Sequence, residues 1–153
     1  MPQTADSFPV VVSPGASAPR RAHADDAGLD LCAAQDAVIP AGGRATIPTG
    51  VSAALPAGTV GLVCPRSGLA SRHGVTVLNG PGVVDAGYRG EIAVVLLNTD
   101  REQEFRIARG DRIAQLVIMP FAAVEPVEAD SLEESERGHG GFGSTGTDWN
   151  QER

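Results

Sequence analysis

The sequence contains no lysine: all 12 of its basic residues are arginine. This excludes a phosphate-loop lysine, a Schiff base and a lysine general base. Any cationic grip on an anion must come from guanidinium groups, whose planar fork suits bidentate binding of phosphate. Cysteine is scarce as well. Cys32 and Cys64 are the only two, and both sit in apolar, strand-like surroundings. Two buried thiols in a reducing, cytoplasmic setting are expected, not a disulfide framework. The three histidines are scattered and form no zinc set with those thiols. No apolar run approaches the ~20 residues of a membrane helix. No basic segment leads into a long apolar one at the start, so a secretory signal is not expected. A long helical period is missing before residue 122, and there is no internal repeat.

What is present points to β-structure. A chain of 153 residues suits one domain able to bury a core. The 19 glycines and 11 prolines punctuate brief apolar runs at short intervals, an all-β pattern. Strands are predicted over 8–12, 29–33, 37–39, 45–47, 51–53, 59–64, 75–78, 92–97, 103–107 and 113–119. Leu29, Leu31 and Ala33 alternate, which turns Asp30 to the opposite face. The run 92–97 is apolar almost throughout and is expected to be buried on both faces. Ser67 is a candidate cap for one short helical turn that Gly74 ends. The formal charge of -7 is concentrated in Glu125, Glu128, Asp130, Glu133, Glu134 and Glu136. With those set aside, 13 acids face 12 bases, so global charge gives no reason to expect nucleic-acid binding. Residues 122–136 read as an acidic linker with room for a little helix near Leu132.

Five places carry candidate chemistry. Asn79-Gly-Pro-Gly-Val-Val-Asp-Ala-Gly-Tyr-Arg-Gly-Glu91 must turn more than once, yet holds Asp85, Tyr88, Arg89 and Glu91, which a plain turn does not need. Its simplest form is a β-hairpin with a wide, rigid tip presenting Asn79, Asp85 and Tyr88; the plainer form is a polar turn with an exposed acid. Asp25, Asp26 and Asp30 are either a divalent-cation aid or a solvated acidic turn. Arg66, Ser67 and Gly68 at a helix start combine a guanidinium, a hydroxyl and backbone N–H groups, which suits a small anion as well as a connecting loop. Gln115 lies mid-strand and needs either a backbone or a ligand partner. His73 has no acid or nucleophile near it in sequence and reads as structural. The tail from Arg137 to Gly146 has five glycines in ten residues, with Arg, Phe, Ser and Thr between them. That is a tail which a ligand could order.

Together these segments resemble the trimeric dUTP diphosphatase family. The resemblance rests on five motifs in order: Asp26-Ala-Gly-Leu-Asp-Leu31, Pro65-Arg-Ser-Gly-Leu-Ala70, the stretch from Asn79 to Ile92, Gly110-Asp-Arg-Ile-Ala-Gln115, and Arg137-Gly-His-Gly-Gly-Phe-Gly-Ser-Thr-Gly146. It implies a jelly-roll-like β-barrel over residues 1–121, the linker 122–136, and a flexible arm over 137–153 that closes a neighbour's site in a homotrimer. It implies Mg2+-assisted hydrolysis of dUTP to dUMP and pyrophosphate, attacked at the α-phosphorus by water that Asp85 activates. The biological effect would be to limit uracil in DNA and supply dUMP for thymidylate synthesis. By the same resemblance Asn79, with Gly82, Val83 and Val84, reads the uracil, and Tyr88 packs on the deoxyribose. Arg66, Ser67, Gly68 and Gln115 hold phosphates, and Asp30 holds Mg2+ through water. From the arm, Arg137, Ser144 and Thr145 engage phosphates, and Phe142 with Gly143 covers the base. No nucleic acid or membrane partner is implied.

This chain departs from the family's pattern at Gly80 and Val83, where Ser and Thr are usual, and at Ala93, where a longer side chain is common. Contacts at those positions would run through the backbone. Two alternatives share the barrel. The related dCTP deaminase places a glutamate where Val95 stands here, and the chain is short for it. An inactive nucleotide-binding barrel would have lost Asp85 or the arm, and both are present.

Overall fold

The structure, a computed structural model, describes residues 7–141. Its elements in order are β1 Val10–Val12, β2 Gly28–Cys32, β3 Ala37–Ile39, β4 Arg44–Ala53, β5 Thr59–Cys64, α1 Ser67–His73, β6 Val75–Val77, β7 Gly82–Asp85, β8 Glu91–Asn98, β9 Phe105–Ile107 and β10 Arg112–Pro120. One sheet has the order β1-β4-β8-β6, a second β2-β10-β5-β7, and β3 pairs with β9 alone. All pairings are antiparallel. This is a jelly-roll-like all-β fold. The described residues divide into two units, one ending at Ala123 and the other beginning at Val124. Among the described residues no helix is long and apolar enough to cross a membrane.

Alternation builds the core. Along β2 the side chains of Leu29 and Leu31 are buried while Asp30 is half-buried. Leu31, Ile39, Ile47, Leu96, Ile113 and Leu116 are fully buried and belong to one cluster fed by both main sheets. Burying each such side chain contributes about 1.5–3 kcal/mol. The run 92–97 departs from expectation. Ile92, Val94 and Leu96 are buried, but Ala93 is exposed and Val95 and Leu97 are half-buried. Only one face of β8 meets the core, as in an antiparallel sheet with a single packed face.

Pro48-Thr49-Gly50 does not end a strand as predicted. β4 runs straight through it with a shift of register between Pro48 and Ser52. Side chains replace the ladder there. The fully buried Thr49 hydroxyl donates to the Ile92 carbonyl at 2.5 Å, and the Glu91 carboxylate accepts the Gly50 N–H at 2.7 Å. Asn98, also buried, donates to the Gln103 carbonyl at 2.8 Å and accepts the Asp100 N–H at 3.0 Å. It thereby satisfies the backbone where β8 turns toward β9.

The helix forms where predicted, but Ser67 is its first residue and Arg66 occupies the cap position without a side-chain cap bond. His73 packs its ring on Phe105, centroids 5.1 Å apart, in keeping with a structural role. Near Leu132 there is no helix, and that side chain is exposed. The two cysteines are free and half-buried, not buried as expected.

Candidate active site

The stretch from Asn79 to Glu91 is more than a wide hairpin tip. β6 and β8 do pair, Val75 with Asn98 and Val77 with Leu96. Between them the chain leaves that sheet, and β7 pairs instead with β5 in the other one, Gly82 with Val63 and Asp85 with Val60. The stretch therefore bridges the two sheets. Its far turn is fastened from within. The Tyr88 N–H donates to the Asp85 carbonyl at 3.0 Å, and the Arg89 guanidinium donates to the carbonyls of Ala86 and Tyr88 at 2.7 and 2.8 Å. The Tyr88 hydroxyl donates to the Glu91 carbonyl at 3.0 Å. Arg89 and Glu91, unexplained by a plain turn, are thus its fasteners: one locks the turn and the other ties its base to β4.

Against this frame lies an open groove of about 240 Å³, lined by Asn79, Gly82, Val83, Val84, Asp85 and Tyr88 together with Val63, Val77 and residues 91–95 of β8. Six of the predicted site residues are thereby brought together. Val84 points into the core, whereas Val83, Asp85 and Tyr88 are exposed along the groove. Ala93 and Val95 on the outer face of β8 form part of its wall.

A second group assembles where β2, β10 and the start of α1 meet. Register places Asp30 opposite Gln115, and Gln115 opposite Cys64. Asp30 is clamped by two arginines: Arg66 Nε lies 3.2 Å from one carboxylate oxygen and Arg112 Nη1 3.0 Å from the other. Arg66 also donates to the Arg112 carbonyl at 3.0 Å. Two guanidiniums around one carboxylate leave a local surplus of positive charge on a chain that is acidic overall. Gln115 Nε2 donates to the Pro65 carbonyl at 2.9 Å, so the mid-strand amide has a backbone partner. Burial and the Asp30 carboxylate push the nearby Cys32 thiol up, against the opposing pull of Arg20 and Arg112.

Other predicted positions fall elsewhere. Asp26 caps a local turn by accepting the His23 N–H at 2.9 Å, the solvated-turn role. Ser67 and Gly68 open α1 and are exposed. In the second unit Arg137 closes a local turn, donating to the Gly140 carbonyl at 3.0 Å. Phe142, Gly143, Ser144 and Thr145 lie outside the described residues. Among the described residues no three His, Cys, Asp or Glu side chains gather to hold a metal. Asp30 alone is placed to help, and since each of its oxygens already meets an arginine, the lone pairs left suit a water-borne contact better than direct ligation.

Sequence reasoning assigned no role to Arg112, which stands just before the predicted strand 113–119. Its signal was its position immediately before Ile113-Ala-Gln115, on the strand that pairs with Asp30's. Two glycines were also missed. A β-carbon on Gly28 would press into the Gln115 amide oxygen and lie 3.1 Å from its carbonyl carbon. One on Gly90 would meet the Tyr88 ring in the same way.

The groove brings together an amide, an acid and an aromatic ring, on a barrel that also carries guanidinium charge, a set of groups that suits a nucleotide. The dUTPase family model matches residues 15–146. The chain is 56% identical over 135 residues to a deoxyuridine 5'-triphosphate nucleotidohydrolase from Thermobifida fusca, covering 88% of this chain and 75% of that one. Against the protein of that name from Tropheryma whipplei strain Twist it is 53% identical over 136 residues, covering 89% and 93%. Among solved structures, the Staphylococcus bacteriophage 80alpha dUTPase with dUPNHPP superposes with a TM-score of 0.86 at 32% identity, covering 94% of this chain and 100% of that one. A mutant dUTPase of phage phi11, described with the coordination of a structural Mg(II) ion, gives 0.77 at 28% identity, covering 84% and 100%. The chain belongs to the dUTPase family.

Proposed function

We propose that this enzyme, a dUTP-hydrolysing dUTPase, converts dUTP to dUMP and pyrophosphate through water activated by Asp85. The observation that carries this reading is the convergence of Asn79, Asp85 and Tyr88 on one groove. Asn79 and the backbone of Gly82, Val83 and Val84 read the uracil edge, and Tyr88 packs on the deoxyribose. The Asp85 carboxylate takes a proton from water as the water oxygen bonds to the α-phosphorus. The bond from that phosphorus to the bridging oxygen breaks, and pyrophosphate leaves. Arg66, Ser67, Gly68 and Gln115 hold phosphate oxygens, with Arg137, Phe142, Gly143, Ser144 and Thr145 closing the site from the arm. Mg2+, held by the triphosphate and by Asp30 through water, would supply charge neutralisation on the phosphates.

The same reading takes the active form to be a homotrimer, and the strand geometry supports a site shared between copies. Within one chain, Gly82 pairs with Val63 and Asp85 with Val60, so β5 reaches Cys64 and Arg66 at the Asn79 end of the groove. Base-reading residues, not the acid, are next to that arginine cluster. A phosphate grip serving Asp85 is therefore best supplied by another copy.

Pyrophosphate release from dUTP, dCTP, dTTP and UTP, each with and without Mg2+, tests the reading. Release from dUTP alone, stimulated by Mg2+, is expected. Ammonia release from dCTP would move the assignment to the deaminase, and sedimentation as an active monomer would remove the shared site.

A further inference from the structure

Tyr88 can judge a sugar only if its ring stands at a fixed distance, and a ring that is 45% exposed has room to swing. Two contacts hold it. Its hydroxyl donates to the Glu91 carbonyl at 3.0 Å, which anchors the tip. Its edge lies over Gly90, where a β-carbon would press into the phenolic oxygen and stand 2.6 Å from Cζ and 3.0 Å from Cε2. Carbon atoms in good contact sit about 3.5–4.0 Å apart, so ring and side chain cannot share this space. Gly90 is not in the left-handed backbone region, and the turn itself does not demand glycine there. Gly87, in the same turn, has nothing within 4 Å of the corresponding position. The need for a bare backbone is specific to the residue beneath the ring.

We propose that Gly90 is a specificity-determining residue: the space left by its missing side chain seats Tyr88 and so sets the gap in which a 2′-hydroxyl is refused. The proposal rests on the reading that Tyr88 packs on the deoxyribose. Because the ring is exposed, Gly90→Ala moves the ring and leaves the fold in place.

The test compares kcat/KM for dUTP and UTP in Gly90→Ala, Gly87→Ala, Tyr88→Ala and the Tyr88→Ala/Gly90→Ala double variant, with thermal unfolding alongside. The dUTP-to-UTP ratio falls roughly tenfold or more in Gly90→Ala and holds in Gly87→Ala. The double variant matches Tyr88→Ala alone, because Gly90 acts only through the ring. An unchanged ratio in Gly90→Ala, with a changed one in Tyr88→Ala, overturns the proposal and spares the sugar reading. An unchanged ratio in Tyr88→Ala overturns both. If Gly90→Ala does not fold, a folded double variant supports the seat, and an unfolded one shows that Gly90 serves the backbone instead.

Discussion

The groove around Asp85 and the cluster around Asp30 lie on the same barrel but are made differently. The groove is fixed at its backbone: β7 is laddered to β5, and the Arg89 and Glu91 side chains bond main-chain groups of the turn and of β4. The cluster is held by charge on long side chains, with two guanidiniums gripping one carboxylate. A reader of base and sugar must have a fixed outline, since a hydrophobic wall that yields discriminates a single group by only about 1–3 kcal/mol. A triphosphate grip needs matching charge and tolerates movement, because the phosphates are themselves mobile and each charge-assisted bond is strong. On the proposed function, shape serves selectivity and charge serves hold.

Breaking each region in turn tests that division. Asp85→Asn is expected to have the largest effect, a loss of turnover of about 10²–10⁴-fold, the span of general base catalysis, with dUTP affinity by calorimetry retained. Near-normal turnover would remove Asp85 from that role. Arg66→Ala comes next. Losing a charged hydrogen bond of about 1.5–3 kcal/mol weakens dUTP binding roughly 10–150-fold while deoxyuridine binding stays constant. Arg112→Ala shifts affinity the same way but less, because it releases one oxygen of the Asp30 carboxylate that Arg66 leans on and leaves the Arg66 guanidinium in place. Equal losses for nucleoside and nucleotide would erase the distinction between the two regions. Gly28→Ala displaces the Gln115 amide from Pro65, and a few-fold rise in KM for dUTP with unchanged melting temperature is expected.

The smallest effect lies outside both regions. The backbone N–H groups of Glu102 and Gln103 hold the exposed Asp100 carboxyl below its ordinary range. A lowered folded-state value stabilises the fold above the unfolded value of about 3.9, and that contribution is lost as pH falls through the folded one. Asp100→Asn is expected to flatten the acid limb of the thermal unfolding curve slightly, with the dUTP-to-UTP ratio untouched. A change in that ratio would mean that the loop reaches the groove.

Local pattern made much of this legible. Leu29, Asp30 and Leu31 could be assigned to faces because alternation is written into neighbouring residues. Asn79, Asp85 and Tyr88 could be grouped because one short stretch carries all three. What escaped depended on pairing at long range. That β7 would leave its hairpin for β5 is decided by a ladder some twenty residues upstream. Pro48 reads as a strand end because it has no N–H to give, and β4 continues through side chains: Thr49 reaches across to the Ile92 carbonyl, and Glu91 reaches from β8 to the Gly50 N–H. Arg112 lay outside the predicted strand 113–119, and only the pairing of β10 with β2 brings its guanidinium to Asp30. Gly28 and Gly90 looked like ordinary flexible positions, because a requirement for empty space is invisible until the neighbour that fills it is known.

The Glu91-to-Gly50 bond has one further consequence. It fastens the groove to β4, which sits between β1 and β8 in the first main sheet. Regions open to solvent independently only when few contacts bind them to the rest. Here the amides of Gly50 and Val51 are expected to exchange with deuterium only when the whole barrel opens. Fidelity then becomes an all-or-none property: warming the enzyme lowers the number of competent molecules, while those still folded discriminate as sharply as before.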